Sequence, residues 1–225
     1  MAILQFTGVA LALLGSLALG APTSNAVWAS SAKVCDAATT ICFQEFSSPQ
    51  KVSYRIAIPD SATASAPYDV LLQIVAPKAA AGWAAVAWGG QMANNPLTIG
   101  WANDKSAVVS SRRATGHVAP AAYAGASYTV IPGSTSANDT HWTLTTLCSG
   151  CTSWSDATGK AVHIDPTSTS VSLAQAISAR APTTPSSNTS AISIHSAKSK
   201  FTFDLASAKI ADFDTLVKAA IAKSS

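Results

Sequence analysis

Short apolar runs broken by turn residues dominate this chain from residue 52 onward. Val52–Ile58 alternates apolar and polar positions with a period of two, the signature of a half-buried strand. Val70–Ala76 is almost continuously apolar, as a strand covered on both faces would be. A Pro- and Ser-rich break, Pro59 to Pro67, separates the two. Further strands are expected at Trp83–Trp88, Leu97–Trp101, Ala107–Ser111, Ser127–Ile131, Trp142–Leu147, Val171–Ile177 and Ala191–His195. Pro182 to Ser190 reads as a loop between strands. Only the end changes period. From Ala206 to Ala222, Ile210, Phe213, Leu216, Val217 and Ile221 recur at helical spacing, with Asp204 or Ser207 placed to cap the start. The pattern predicts an all-β, antiparallel β-sandwich of immunoglobulin-like type with a short C-terminal helix, and no internal repeat.

Residues 1–20 interrupt this picture. Their apolar core, Val9–Leu14 and Leu17–Leu19, is too short to span a bilayer and is followed by small residues. The expectation is a signal peptide over 1–20, a single domain over 21–225, and an extracellular protein. Charged residues make up 11% of the 225-residue chain and the formal net charge is +3, which offers no basic patch for nucleic acid. No other apolar stretch is long enough to cross a membrane, and a monomer without nucleic-acid or membrane partners is expected. Two close cysteine pairs, Cys35 with Cys42 and Cys148 with Cys151, favour disulfides in an oxidising compartment. The alternative, a zinc site, would need both pairs to converge. Asn138-Asp139-Thr140 and Asn188-Thr189-Ser190 are glycosylation sequons in turn-rich surroundings.

Candidate chemistry centres on Met92, in Trp88-Gly89-Gly90-Gln91-Met92-Ala93-Asn94-Asn95-Pro96. It is the one methionine beyond Met1. A thioether behind two glycines is poorly placed as core filling and well placed as a soft ligand to copper or haem iron. Four histidines, His117, His141, His163 and His195, could be its partner, and spacing does not choose among them. Thr152 follows Cys151, so there is no Cys-x-x-Cys-His for covalent haem. No Gly-x-Gly-x-x-Gly opens a helix and no Gly-x-Ser-x-Gly elbow is present. Glu45 is the sole glutamate, so no carboxylate pair suggests glycoside hydrolysis.

Three ordered blocks carry a resemblance. Gly82–Asn95 followed by Ile99–Asn103, Val109–Gly116, and Thr140–Trp142 leading into Cys148–Trp154 resemble the cytochrome domain of fungal cellobiose dehydrogenases. The likeness spans Trp28 to Leu205. It implies a secreted b-type cytochrome on a DOMON-like sandwich, with haem b (iron protoporphyrin IX) held by one Met and one His. The family's Met falls on Met92. Its His follows a Ser-rich segment and precedes Phe-x-x-Asp, which matches His195 ahead of Phe201-Thr202-Phe203-Asp204, with His163 as the fallback. The family's propionate-side Tyr falls on His117, so an imidazole replaces a phenol and brings a titratable group. Arg113 is placed to neutralise a propionate, and Trp88, within a strand pattern, belongs to the core or to the pocket wall.

The same resemblance implies single-electron transfer without turnover of a substrate. The donor would be an extracellular flavin dehydrogenase, and the acceptor a copper polysaccharide oxygenase or ferric iron. The sequence ends at Ser225 without a flavin domain, so a stand-alone relative is expected. The competing expectation is a carbohydrate-binding sandwich without haem, in which exposed tryptophans among Trp83, Trp88, Trp101, Trp142 and Trp154 stack on sugar rings.

Overall fold

A computed structural model describes residues 32–223; the expected leader lies outside the described residues. In chain order the strands are β1 (Ala32–Cys35), β2 (Cys42–Ser47), β3 (Ser53–Pro59), β4 (Val70–Pro77), β5 (Trp83–Ala87), β6 (Pro96–Asn103), β7 (Ser106–Arg113) and β8 (Ala121–Ala122). They continue with β9 (Ser127–Val130), β10 (Ser136–Ala137), β11 (His141–Ser149), β12 (Ser153–Ser155), β13 (Ala161–His163), β14 (Val171–Ser178), β15 (Ala197–Phe203) and β16 (Lys209–Ile210). Helix α1 (Phe213–Ala222) closes the chain.

Two sheets face each other, as the alternating pattern requires. One runs β1-β2-β3-β4-β11-β10, with β9 also on β11 and β16 parallel to β3. The other runs β15-β14-β5-β6-β7-β8. Strands β12 and β13 form a separate hairpin. The sandwich core draws Tyr54, Ile56, Leu72 and Ile74 from the first sheet and Val86, Leu173, Phe201 and Phe203 from the second. Phe46 stacks on Phe201 across the gap, with ring centroids 3.9 Å apart. Gly100 lets the sheets close: a Cβ there would lie 2.7 Å from Leu144. Both cysteine pairs are bonded, Cys35 to Cys42 and Cys148 to Cys151, so no zinc site forms between them.

β4 is covered on both sides, as its continuous hydrophobicity predicts. Leu72 and Ile74 enter the sandwich core, while Leu71 faces outward into a second cluster. There Phe213, Val217 and Ala220 of α1 pack on Ile41, Phe43, Ala57 and Leu71. The helix is shorter than its periodicity predicts. Asp204 does cap Ser207, accepting from its backbone N at 3.0 Å. The turn it starts is a single 3-10 turn, Ala206–Ala208, because Lys209 and Ile210 leave to pair with Ile58 and Pro59 of β3. The α-helix begins only after Asp212, which adopts φ 54°.

The expected strand Ala191–His195 is corrected. This segment is irregular, and the strand is β15, beginning at Ala197. Instead of pairing edge to edge, the segment lies across the outer face of the second sheet. Ile192 packs on that face, and Ser193 Oγ bonds Ser178 Oγ at 2.8 Å.

Candidate functional site

Strand alternation gives the second sheet two unlike faces. Inward go Ala84, Val86, Leu173 and Ile177. Outward go Trp83, Ala85, Ala87, Leu97, Ile99 and Trp101, with Ala174 and Ala176 beside them. Register sets Ala174 opposite Ala87 and Ala176 opposite Ala85. Four methyl groups thus pave the centre of the outer face, bordered by Trp83, Trp101, Leu97 and Ile99. Side chains this small leave a low floor on which a flat apolar ligand can lie.

Met92 stands at this floor, packed against the same apolar cluster. Its loop is braced from several directions. Asn95 is buried, and its Nδ2 donates to the carbonyls of Gln91 and Ala93, both at 3.0 Å, gripping the backbone on either side of Met92. Gly89 is obligatory because a Cβ would fall 2.0 Å from Asn95 Oδ1. Gly90 turns the chain with φ 75°. Asn94 N bonds Ala114 O at 2.7 Å, and Arg113 Nη2 donates to Asn94 O at 3.0 Å. A loop satisfied this thoroughly presents its thioether in a fixed place.

The residues 179–196 form the cover. Trp101 Nε1 donates to Pro185 O at 2.8 Å, and Trp83 Nε1 to Ser193 Oγ at 3.4 Å. Arg112, buried on the same outer face, donates through Nη2 to Asn188 O and Ser190 O at 3.1 and 2.8 Å, and through Nη1 to Pro120 O at 3.2 Å. Its Nε holds Ser110 Oγ at 2.6 Å. Burial lowers the Arg112 pKa, but an arginine stays charged through the physiological range. One guanidinium therefore ties the cover to the loop that carries His117. His195 is half-buried at the end of the cover, between Ser193 on the face and Ser196, whose N bonds Ile177 O at 2.8 Å.

The other expected residues are placed differently. Trp88 follows the last outward alanine and turns inward, 2% exposed in the sandwich core, with Nε1 donating to Thr98 Oγ1 at 2.8 Å, and it borders the cleft that His163 lines. Arg113 is no free cation. Besides Asn94 it serves Ser155 O at 2.6 Å and lies 5.4 Å from the Tyr123 ring centroid, so it pins the Met92 loop. His117 is exposed in the turn after β7. His163 lines a cleft of about 290 Å³ with Trp88, Trp154, Asp165 and Ser172; Gly89 and Asn95 of the Met92 loop also border it, while Met92 itself does not. His141 belongs to the first sheet, where its Nδ1 meets Thr140 Oγ1 at 3.0 Å. Asn138 and Asn188 are both exposed. Among the described residues every tryptophan is buried, between 0% and 6% exposed, so none offers a sugar platform.

Several residues of this face were missed by sequence reading: the four alanines, Ile192, Arg112 and Ser193. Alternation in Trp83–Ala87 does signal that Ala85 and Ala87 share a side. Nothing local says that Ala174 and Ala176 join them.

Direct metal binding finds no support in the side chains. All four cysteines are in disulfides, and among the described residues no three His, Cys, Asp or Glu gather as a metal site. A thioether at an alanine floor, with an imidazole on the segment that covers it, instead fits a planar macrocycle that supplies the remaining ligands itself.

The fold and this face define a β-sandwich cytochrome. Residues 34–215 match the family described as the cytochrome domain of cellobiose dehydrogenase, and the chain belongs to that family, one of haem-binding b-type cytochromes. A pyrroloquinoline quinone-dependent pyranose dehydrogenase of Coprinopsis cinerea is 31% identical over 180 residues, covering 80% of this chain and 24% of the relative. The chain thus spans about a quarter of that curated relative's length. The crystal structure of the cytochrome b domain of the Coprinopsis cinerea pyranose dehydrogenase matches with TM-score 0.73 and 27% identity, over 83% of this chain and 93% of that one. The cytochrome domain of Myriococcum thermophilum cellobiose dehydrogenase matches in fold, with TM-score 0.74 and 22% identity, over 86% of this chain and 96% of that one.

Proposed function

We propose that this protein is an extracellular b-type cytochrome that passes single electrons between a sugar dehydrogenase and an oxidant. The observation that carries the reading is the alanine-floored outer face, with braced Met92 on it and His195 on its cover. Met92 Sδ and a ring nitrogen of His195 would hold the iron of haem b. Bound there, haem supplies a one-electron ferric–ferrous couple, which thioether ligation shifts towards the ferrous state.

The chain's own residues do the rest. Asn95 and Arg113 hold the thioether loop still. Arg112, Trp83 and Trp101 hold the cover that carries the imidazole. Leu97, Ile99 and the alanines would exclude water from a bound haem. Two protein ligands to its iron would leave no position for substrate, so the protein would relay electrons and transform nothing. The donor class is a flavin or quinone dehydrogenase. The acceptor is a copper polysaccharide oxygenase or ferric iron. The two disulfides suit an oxidising compartment, and no helix among the described residues is long and apolar enough to cross a membrane. Asn138 and Asn188 would carry glycans, and 21–225 would be the mature domain.

Stopped-flow mixing tests the role. The ferric protein is mixed with a separately prepared sugar dehydrogenase and its sugar, then with the copper oxygenase or ferric iron. Reduction of the haem bands followed by their reoxidation is expected. A haem reduced by dithionite but by no dehydrogenase of either class would contradict the donor assignment.

A further inference from the structure

Charge is divided between the two halves of the sandwich. The segments that build and cover the second sheet, 83–123 and 171–203, hold six cationic side chains, Lys105, Arg112, Arg113, Arg180, Lys198 and Lys200, against one carboxylate, Asp104. The remainder holds eight Lys or Arg against ten Asp or Glu. A +3 chain is therefore a positive face backed by a slightly negative body. Arg112 and Arg113 are spent on backbone carbonyls. Arg180, Lys198 and Lys200 are exposed. Lys198 and Lys200 stand level with Ala176 and Ala174 in the neighbouring strand, directly beside the alanine floor.

A second observation falls on the same face. Among the described residues the exposed large hydrophobics are Ile194, 87% exposed, and Val118, 58% exposed. Each adjoins a histidine in sequence, His195 on the cover and His117 in the turn after β7. Their two loops meet at Arg112, through Pro120 O and Ser190 O. Lysines on an edge strand also discourage sheet extension. That role explains neither the near-absence of carboxylates across the face nor the apolar tips.

We infer that this face is the docking surface for a redox partner that presents carboxylates around an apolar spot. The inference rests on the cytochrome reading, since docking matters only where electrons cross. From β15 to β8 the sheet spans about 24 Å at the usual strand spacing. That suits a small transient interface with an apolar centre and a charged rim. Complementary charge raises the encounter rate and is weakened by salt.

The test uses the holoprotein, reduced anaerobically, with ferricyanide as anionic oxidant and polyaspartate as competitor. Wild type should react roughly tenfold faster at low than at high ionic strength, and polyaspartate should slow it. The variant R180E/K198E/K200E should lose about tenfold at low salt and become indifferent to polyaspartate. The variant K33E/K51E/K160E, with the same change of net charge elsewhere, should keep the wild-type response. Intact haem bands with equal salt responses in both triple variants would overturn the docking face alone. A wild type without six-coordinate haem bands would overturn the cytochrome reading and the docking face with it. Salt-sensitive dimers in sedimentation would assign the face to a second copy of this chain, and would also overturn the proposal.

Discussion

The two sheets carry apolar residues on their outer faces and cover them by opposite means. On the first, Ile41, Phe43 and Leu71 meet Phe213 and Val217 of a regular helix, and large side chains fill the space. On the second, Ala85, Ala87, Ala174 and Ala176 lie under an irregular segment held by hydrogen bonds from Trp101, Arg112 and Trp83. A face filled with large side chains serves stability. On the proposed reading, a face of methyl groups under a tethered loop is where something flat would lie. The difference is what assigns the proposed function to this side, without reference to any catalytic group.

Changes that exchange the character of the two faces should have the largest effects. Ala87→Leu or Ala174→Leu should fill the floor and remove most haem uptake in titrations of the apoprotein. Apoprotein stability should shift by no more than the usual overpacking cost, about 1–3 kcal/mol. Retained stoichiometric uptake would mean the ligand lies elsewhere. On the opposite face, Phe213→Ala should lower unfolding stability by about 3–5 kcal/mol in denaturant, as buried Phe truncations do, while haem spectra stay unchanged.

A smaller effect is expected at the tether. Arg112→Leu leaves the Ser190 carbonyl, the buried one of its three acceptors, without its donor at a cost of about 1–3 kcal/mol, while the part-buried Asn188 and Pro120 carbonyls turn to water. The loss should appear as faster haem release and as faster amide exchange within 179–196. Arg112→Lys should rescue little, because an ammonium lacks the planar fork that reaches several carbonyls. Exchange confined to other segments would remove Arg112 from this role.

The smallest effect is a pH dependence of the first sheet. Burial raises the Asp36 pKa, but donors from Ser134, Thr39 and Gln73 outweigh it, leaving the carboxyl below its ordinary value. A carboxyl held low in the folded state stabilises above its unfolded pKa, about 3.9, and loses that contribution as pH falls through the folded value. Urea unfolding of wild type should therefore weaken on acidification more than that of Asp36→Asn. Parallel pH curves would contradict the assignment.

Much of this architecture is legible in the sequence, because alternation and turn residues act locally. β3 to β7, β11 and β14 sit where the apolar pattern puts them. The Met92 loop is equally readable, since its two glycines and Asn95 act within seven residues of each other. Trp88, one step past Ala87, emerges on the opposite side and is both core and cleft wall, as its place beside Gly89 suggests. The one misplaced strand has a physical source. Ala191–His195 has a strand's composition, but Ser193 and Ile192 find partners on the sheet face instead of at its edge. The alanine floor joins residues some ninety positions apart, so only the β5–β14 pairing reveals it.

The most direct test of the account is the absorption spectrum of haem-loaded protein before and after dithionite, for wild type and Met92→Ala together. The account predicts a six-coordinate low-spin spectrum in wild type, with a shifted Soret band and sharp α and β bands on reduction. It predicts loss of that low-spin signature in Met92→Ala with the fold retained by circular dichroism. Identical low-spin spectra from the two proteins, or no haem bands in either, would contradict it.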